Sequence, residues 1–379
     1  MNTITTPTQR IVPEHCNAAV FEAPNVPMQF KQFAIPRNLP PGSALCRIRL
    51  STICGSDLHT LLGRRNEPAP SILGHESVGD VVAVGECARY WNGAALQVGD
   101  RVSWTIMASC GECFFCTHDL PQKCIHLKKY GHSLTSVWPG LTGGYAEYIF
   151  LYPGTGIFPA PAGLDDAVIA PANCALATVV CAIDSIGGIA PGERVLICGA
   201  GLLGTYLAAL AKEAGAGMVM VADINPSRAE AIRHFGADTV FTQSPEPDAV
   251  ARWARDTCGG EGVDVAFEVC GDPRAVTASM EALRIGGRLL VAGLVSPNRC
   301  FSVDGNTLTR KCLTLRGIHN YHPAHLGKGL DFLAATAGKY PYRDLVTPIL
   351  DLDDIQRAVE LAQTGASARV GLQCSKTGL

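Results

Sequence analysis

Apolar and polar positions change rhythm near Ala177, and that change divides the chain. Before it, the chain is rich in Gly and Pro, and its apolar residues come in short alternating runs. Ala44-Leu45-Cys46-Arg47-Ile48-Arg49-Leu50 has the period of two expected of a half-buried strand. Residues 77–85 and 100–104 read as strands in the same way, so residues 1–176 predict an irregular β-rich domain. After the change, nearly continuous apolar strands alternate with helical segments. Strands are expected at 194–198, 218–222, 263–269 and 287–294, with helices at 202–214, 226–235 and 273–283. Such alternation predicts an α/β architecture built on a parallel, doubly wound sheet over residues 177–321. The remainder, 322–379, opens with His322-Pro323 and is expected to fold back onto the first domain.

Length and composition narrow this picture. At 379 residues two domains are the natural prior, and 47% hydrophobic with 17% charged residues describes an ordinary globular chain. A net charge of −3 gives no reason to expect nucleic acid or an acidic membrane as partner. No apolar run reaches the roughly 18 residues of a membrane span, and the N-terminal stretch lacks a signal-like apolar core. A cytoplasmic location is the expectation. Sixteen cysteines in such a chain favour metal sites and buried thiols over disulfides.

Four of those cysteines are informative by spacing. Cys110, Cys113, Cys116 and Cys124 form C-x2-C-x2-C-x7-C, within a lobe at about 108–126. Four thiolates so close together, separated by turn-compatible residues, suit a closed tetrahedral zinc shell. An iron–sulfur cluster is the alternative, and ligand preference favours zinc. A shell of four sulfurs leaves no open position, so the expected role is structural.

A second pattern lies between the strand 194–198 and the helix beyond it. Gly199-Ala200-Gly201-Leu202-Leu203-Gly204 is a GxGxxG run, and Asp223 ends the next strand 19 residues after Gly204. Gly199 permits the tight turn, Gly201 lets a pyrophosphate approach the backbone where Leu202 opens the helix, and Gly204 allows helix to pack on strand. Asp223 suits ribose hydroxyls and would repel a 2′-phosphate, which favours NAD over NADP. Arg228 argues the other way, since a nearby guanidinium suits a phosphate. A glycine turn that binds no nucleotide is the plainer alternative.

Further metal-competent groups lie just after predicted strands: Cys54 in CGSDLH, His75 and Glu76 in GHE, and Cys174 at the change of rhythm. A catalytic zinc needs three protein ligands and one open position. Cys54, His75 and Cys174 supply three, with Glu76 as an alternate or additional ligand. Any one of them alone is more simply a packed or hydrogen-bonded core residue.

The order CGSDLH, GHE, the four-cysteine lobe, GAGLLG and Asp resembles the zinc-dependent medium-chain alcohol dehydrogenases, across essentially the whole chain. The resemblance implies a GroES-like catalytic domain, a Rossmann domain, and an active site in the cleft between them. It implies two zinc ions per chain and NAD as cofactor, with Asp57 orienting the zinc-ligating His. Thr178 would pack against the nicotinamide and Arg369 would reach the pyrophosphate. Ser56 and His59 would relay the alcohol proton to solvent. Gly55 departs from the Arg or His of liver-type enzymes and is more like polyol and threonine dehydrogenases.

Longer words, among them CGSDLHTLLGRR, APANCALATV and LTLRGIHNYHP, resemble a subgroup associated with phosphonate metabolism. Arg64 and Arg65, with Lys129 and His132, fall where relatives present pocket side chains. An alcohol or carbonyl substrate bearing an anionic group is expected, since guanidinium groups bind phosphonate or carboxylate bidentately. A solvated surface pair is the simpler reading of Arg64 and Arg65. The rivals are a polyol, threonine-like or general secondary-alcohol dehydrogenase, a non-catalytic quinone-reductase-like nucleotide binder, and a zinc protein that binds nucleic acid. Relatives are homodimers or homotetramers, with residues 287–295 and the segment after them as the candidate contact.

Overall fold

A computed structural model of the protein describes residues 12–242 and 247–375. Its second half is a six-stranded, fully parallel sheet. The strand order is Thr239–Phe241, Met218–Ala222, Arg194–Cys198, Val263–Glu268, Leu283–Val291 and Thr314–Gly317. The continuous apolar runs arise because both faces are covered. Val195, Ile197, Val219, Val221, Val265 and Phe267 face Leu176, Tyr206, Leu326 and Leu330 of flanking helices. Leu196, Met220, Ala266 and Leu289 face Ala251, Ala254, Val276 and Met280 on the other side. Alternate residues therefore feed alternate cores, as pleating requires.

The first half is built around a mostly antiparallel sheet in the order Val346–Asp351, Arg369–Gln373, Ala44–Thr52, Glu76–Val84, Arg101–Ala108 and Lys128–Lys129, in which only the first two strands run parallel. Thr52 is the junction that matters for the site. It pairs with Glu76 on one side and with Gly371 on the other. The C-terminal strand thus lies beside the strand leading to Cys54, and this part of the sheet draws on both ends of the described chain. Tyr321, fully buried, donates its hydroxyl to the Asn173 carbonyl and ties the last segment to the turn before Cys174.

Two expectations need correction. The helix expected at 226–235 is α-helical only over Pro226–Ala231, then tightens to a 3-10 turn, Ile232–Phe235, that ends at Gly236 with φ +99°. The strand expected from Gly287 begins at Leu283, where the backbone leaves helix directly for an extended conformation. Outside it Thr314–Gly317 forms the edge of the sheet and is exposed along its length. Among the described residues, no single helix is long and apolar enough to cross a membrane.

Candidate functional site

The lobe brings its four cysteines together, with all four sulfurs within 4.8 Å of one another. Cys110 and Cys116 lie 3.9 Å apart, Cys113 and Cys116 3.5 Å, and Cys124 and Cys110 3.4 Å. A tetrahedral shell at about 2.3 Å separates its sulfurs by about 3.8 Å, so the set fits zinc without rearrangement. The backbone amides of Cys110 and His126 each donate to Cys124 Sγ at 3.3 Å. Amides of Cys116 and Ile125 draw the Cys113 thiol below its usual range. The lobe has little apolar packing of its own, since Phe114 and Ile125 are each 66% exposed.

The second group is Cys54, His75, Glu76 and Cys174, again within 4.8 Å, and buried except for the half-buried Cys174. Three separate turns deliver it. Cys54 caps the helix Gly55–Leu61, and Asp57 reaches back to accept from the Cys54 amide at 3.1 Å. His75 comes directly after Gly74, whose φ of +85° suits glycine and whose added Cβ would lie 2.6 Å from the Tyr145 ring. Cys174 ends the 3-10 turn Ala170–Asn173 and starts the helix Ala175–Ser185.

Asp57 organises the histidine. One oxygen accepts from Tyr145 Oη at 2.9 Å, and the other lies 3.5 Å from His75 Nδ1. His75 Nδ1 has no hydrogen-bonding partner within range and is aimed at this carboxylate. Nε2 is left for a metal, the arrangement a ligating imidazole requires. Burial favours the neutral ring, but the charges of Asp57 and Cys54 hold His75 up to about 10. The hydrogen bond between Cys54 and Cys174 lowers the first thiol and raises the second. Two sulfurs with an imidazole suit zinc.

Arg369 needs correction. Sequence reasoning directed it to the pyrophosphate; here its Nε and one terminal nitrogen each donate to Glu76 at 2.7 Å, and that terminal nitrogen also donates to Cys54 Sγ at 3.4 Å. Strand register is the reason, because Arg369–Gln373 lies against the strand ending at Thr52. Glu76 is fully buried, and burial presses its carboxyl upward while Arg369 opposes that. The guanidinium is thus bound to the carboxylate proposed as an alternate ligand.

The glycine turn has the geometry that a dinucleotide needs. A Cβ on Gly204 would lie 1.8 Å from the Gly199 carbonyl, whereas one on Gly201 would meet nothing within 4 Å. Space is therefore open where a pyrophosphate would approach, at the start of the helix Leu202–Glu213. Asp223 accepts from the Ala200 amide at 2.6 Å and the Asn225 amide at 2.7 Å, which ties it to the turn. Arg228 is exposed, and its guanidinium donates to the Gly365 carbonyl at 3.1 Å. Thr178 is half-buried on a helix whose neighbouring positions are buried.

Ser56 and His59 lie on the helix Gly55–Leu61, both half-buried. Burial and then Arg64 lower the His59 imidazole, leaving it neutral and able to accept a proton near pH 7. Arg64 itself is exposed. Arg65 and His132 are not free in the way expected, because Glu67 holds both. Its oxygens lie 2.5 Å from Arg65 Nε and 3.0 Å from His132 Nδ1. His132 stacks on His75 at 5.7 Å. Glu67, Lys123 and His319 were not singled out by sequence reasoning as part of this site. Lys123 Nζ lies 2.7 Å from His319 Nδ1. Glu67 was visible two residues after Arg65; His319 gave no local signal.

Comparison with known proteins agrees with this architecture. Residues 40–162 match the family described as alcohol dehydrogenase GroES-like domain, and residues 203–335 match zinc-binding dehydrogenase. The chain is 30% identical to an L-threonine 3-dehydrogenase of Vibrio cholerae over 344 residues, covering 86% of this chain and 90% of that protein. It is 28% identical to a 5-exo-hydroxycamphor dehydrogenase of Pseudomonas putida, with the same coverage. Among solved structures, an alcohol dehydrogenase from Thermotoga maritima superposes with a TM-score of 0.88 at 32% identity, covering 95% of this chain and 99% of that one. With a GroES-like domain, a parallel Rossmann-like sheet and two clustered sets of metal-competent side chains, the chain belongs to the zinc-type medium-chain alcohol dehydrogenases and is an oxidoreductase.

Proposed function

We propose that the protein interconverts an alcohol and its aldehyde or ketone, with NAD as hydride partner and two zinc ions per chain. In this reading residues 1–176 and 322–379 carry the metal sites and residues 177–321 bind the nucleotide. The observation that carries it is the convergence of Cys54, His75, Glu76 and Cys174 from three separate turns onto one buried point. Cys54, His75 and Cys174 would hold the catalytic zinc, and the lobe cysteines a structural one. Zinc supplies Lewis acidity toward the substrate oxygen, and NAD supplies the hydride acceptor.

The chain's own residues do the rest. Asp57 fixes the ring of His75, so its free nitrogen is set before any ligand arrives. The Ser56 hydroxyl takes the alcohol proton and His59, kept neutral, accepts it toward solvent. Gly201 leaves the opening for the pyrophosphate, and Asp223 faces the ribose with a charge that disfavours a 2′-phosphate. Thr178 packs against the nicotinamide. Lys129, near the thiolates, and Arg65 beside it favour a substrate with an anionic group, phosphonate among them.

A threonine-like reading has its own support in the L-threonine 3-dehydrogenase relatives, whose named substrate also carries a carboxylate. The test is NAD reduction by zinc-loaded enzyme across alcohols matched except for a terminal phosphonate, carboxylate or hydroxyl, with L-threonine included. Metal analysis should return two zinc ions per chain. Absence of turnover for every alcohol in the panel would overturn the proposal.

A further inference from the structure

Strand order in the nucleotide sheet reverses between Arg194–Cys198 and Val263–Glu268. In an open parallel sheet a ligand sits at such a reversal, beyond the carboxyl ends of the strands. Glu268 is the last residue of its strand there, paired with Cys198 on one side and Val291 on the other. Its side chain is fully buried and has no part in the metal sites or the proton path. One carboxylate oxygen accepts from the Cys270 amide at 2.8 Å and from the Gly271 amide at 2.5 Å. The other accepts from the Gly293 amide at 3.1 Å. A single side chain thus holds the loops that leave two neighbouring strands. Those loops close tightly around it, since a Cβ on Gly293 would lie 2.4 Å from Gly271 N and 2.6 Å from the carboxylate. Burial pushes the Glu268 carboxyl up, and the amides oppose the rise.

The clamp reaches the glycine turn. Cys270 is exposed, and a Cβ on Gly199 would lie 3.0 Å from Cys270 Cβ and 3.1 Å from its nitrogen. The Val269 amide donates to the Cys198 carbonyl at 3.0 Å, so the glycine turn and the loop beside it leave the sheet from adjoining positions. We propose that Glu268 is a positioning residue for the nucleotide: its carboxylate fixes the loops after Val263–Glu268 and Leu283–Val291, and through Cys270 the turn at Gly199, in the form that takes NAD. A wall already set leaves less to be ordered on binding, and affinity rises accordingly. The inference rests on the NAD reading above and adds to it the group that shapes the crevice from behind.

The test uses the full-length, zinc-loaded enzyme titrated with NADH by fluorescence, without alcohol. The amide of Glu268→Gln has one oxygen in place of two, so its NH2 must face an N–H of one loop or the other. NADH binding should weaken roughly tenfold, the size of one hydrogen bond to a charged group. KM for NAD should rise by a similar factor, while KM for the alcohol at saturating NAD stays at the parent value. In the nucleotide-free protein, hydrogen exchange should quicken in peptides covering 269–273 and 292–295. Asp264→Asn is the control, because it removes a buried acid from the other end of the same strand. It should lower stability yet bind NADH like the parent. Glu268→Asp, which keeps the charge but is too short to span both loops, should weaken NADH binding as well and serves if the amide variant does not fold. A parent that binds no NADH would sink the cofactor reading and this inference together. A parent that binds it, with Glu268→Gln its equal or Asp264→Asn weakened as much, would overturn the positioning role alone.

Discussion

Arg369→Leu is the most informative single change, because it separates the worth of an ion pair from the cost of breaking one. Glu76 is fully buried and Arg369 is nearly so, and the two meet through a pair of contacts at 2.7 Å. Removing the guanidinium leaves the Glu76 carboxylate with the Thr52 hydroxyl as its remaining partner. Breaking a buried pair in this way costs about 3–5 kcal/mol, whereas replacing both partners with apolar residues is close to neutral. Thermal unfolding of the zinc-loaded protein should therefore fall by on the order of 10 °C in Arg369→Leu. The double variant Arg369→Leu with Glu76→Leu should recover most of that loss. Zinc retention is a second readout, since Arg369 also donates to Cys54 Sγ. A single variant unfolding with the parent would refute the reasoning. So would a double variant less stable than either single.

Two further outcomes concern groups away from that pair. Asp264 accepts from the Arg194 amide at 2.7 Å and from Arg284 Nε at 2.5 Å; burial works against its charge, but these donors hold its carboxyl below the ordinary 3.8. A depressed carboxyl stabilises the fold above its unfolded-state pKa and stops doing so as pH falls through the folded-state one. Asp264→Asn should therefore cost about 1–2 kcal/mol at pH 7, a deficit that shrinks below about pH 4 in denaturant titrations; a pH-independent deficit would contradict this. The lobe offers a metal test: with Phe114 and Ile125 exposed it has little else to hold it, so Cys113→Ser should retain one zinc and become sensitive to trypsin at Lys123 or Lys128. Two zinc ions retained in that variant would show that the four sulfurs do not act together.

Legibility in the sequence tracked how local the cause was. The strand 194–198 and the helix after it are dictated by neighbours in the chain, and the structure has them as Arg194–Cys198 and Leu202–Glu213. The two cysteine-bearing sets were also legible, one by spacing and the other by motif. What escaped was pairing over distance. Arg369 and Glu76 are 293 residues apart, and only the register at Thr52 brings them together. Arg65 looked like a free cation because the turn that brings Glu67 back to its Nε leaves no periodic trace. Leu283 read as the end of a helix because its apolar side chain satisfies either pattern, and the backbone there is decided by the sheet.

The strand Arg369–Gln373 has a consequence for how the protein is made. It is synthesised long after the strands Ala44–Thr52 and Glu76–Val84 that it borders, with the whole nucleotide sheet in between. Until it emerges, Glu76 has no guanidinium beside it and the strand ending at Thr52 keeps an open edge. Nascent chains and prematurely terminated products therefore present an uncompensated buried acid and unpaired backbone, the features that chaperones and proteases act on. Completion of the metal pocket therefore waits on synthesis of the strand Arg369–Gln373.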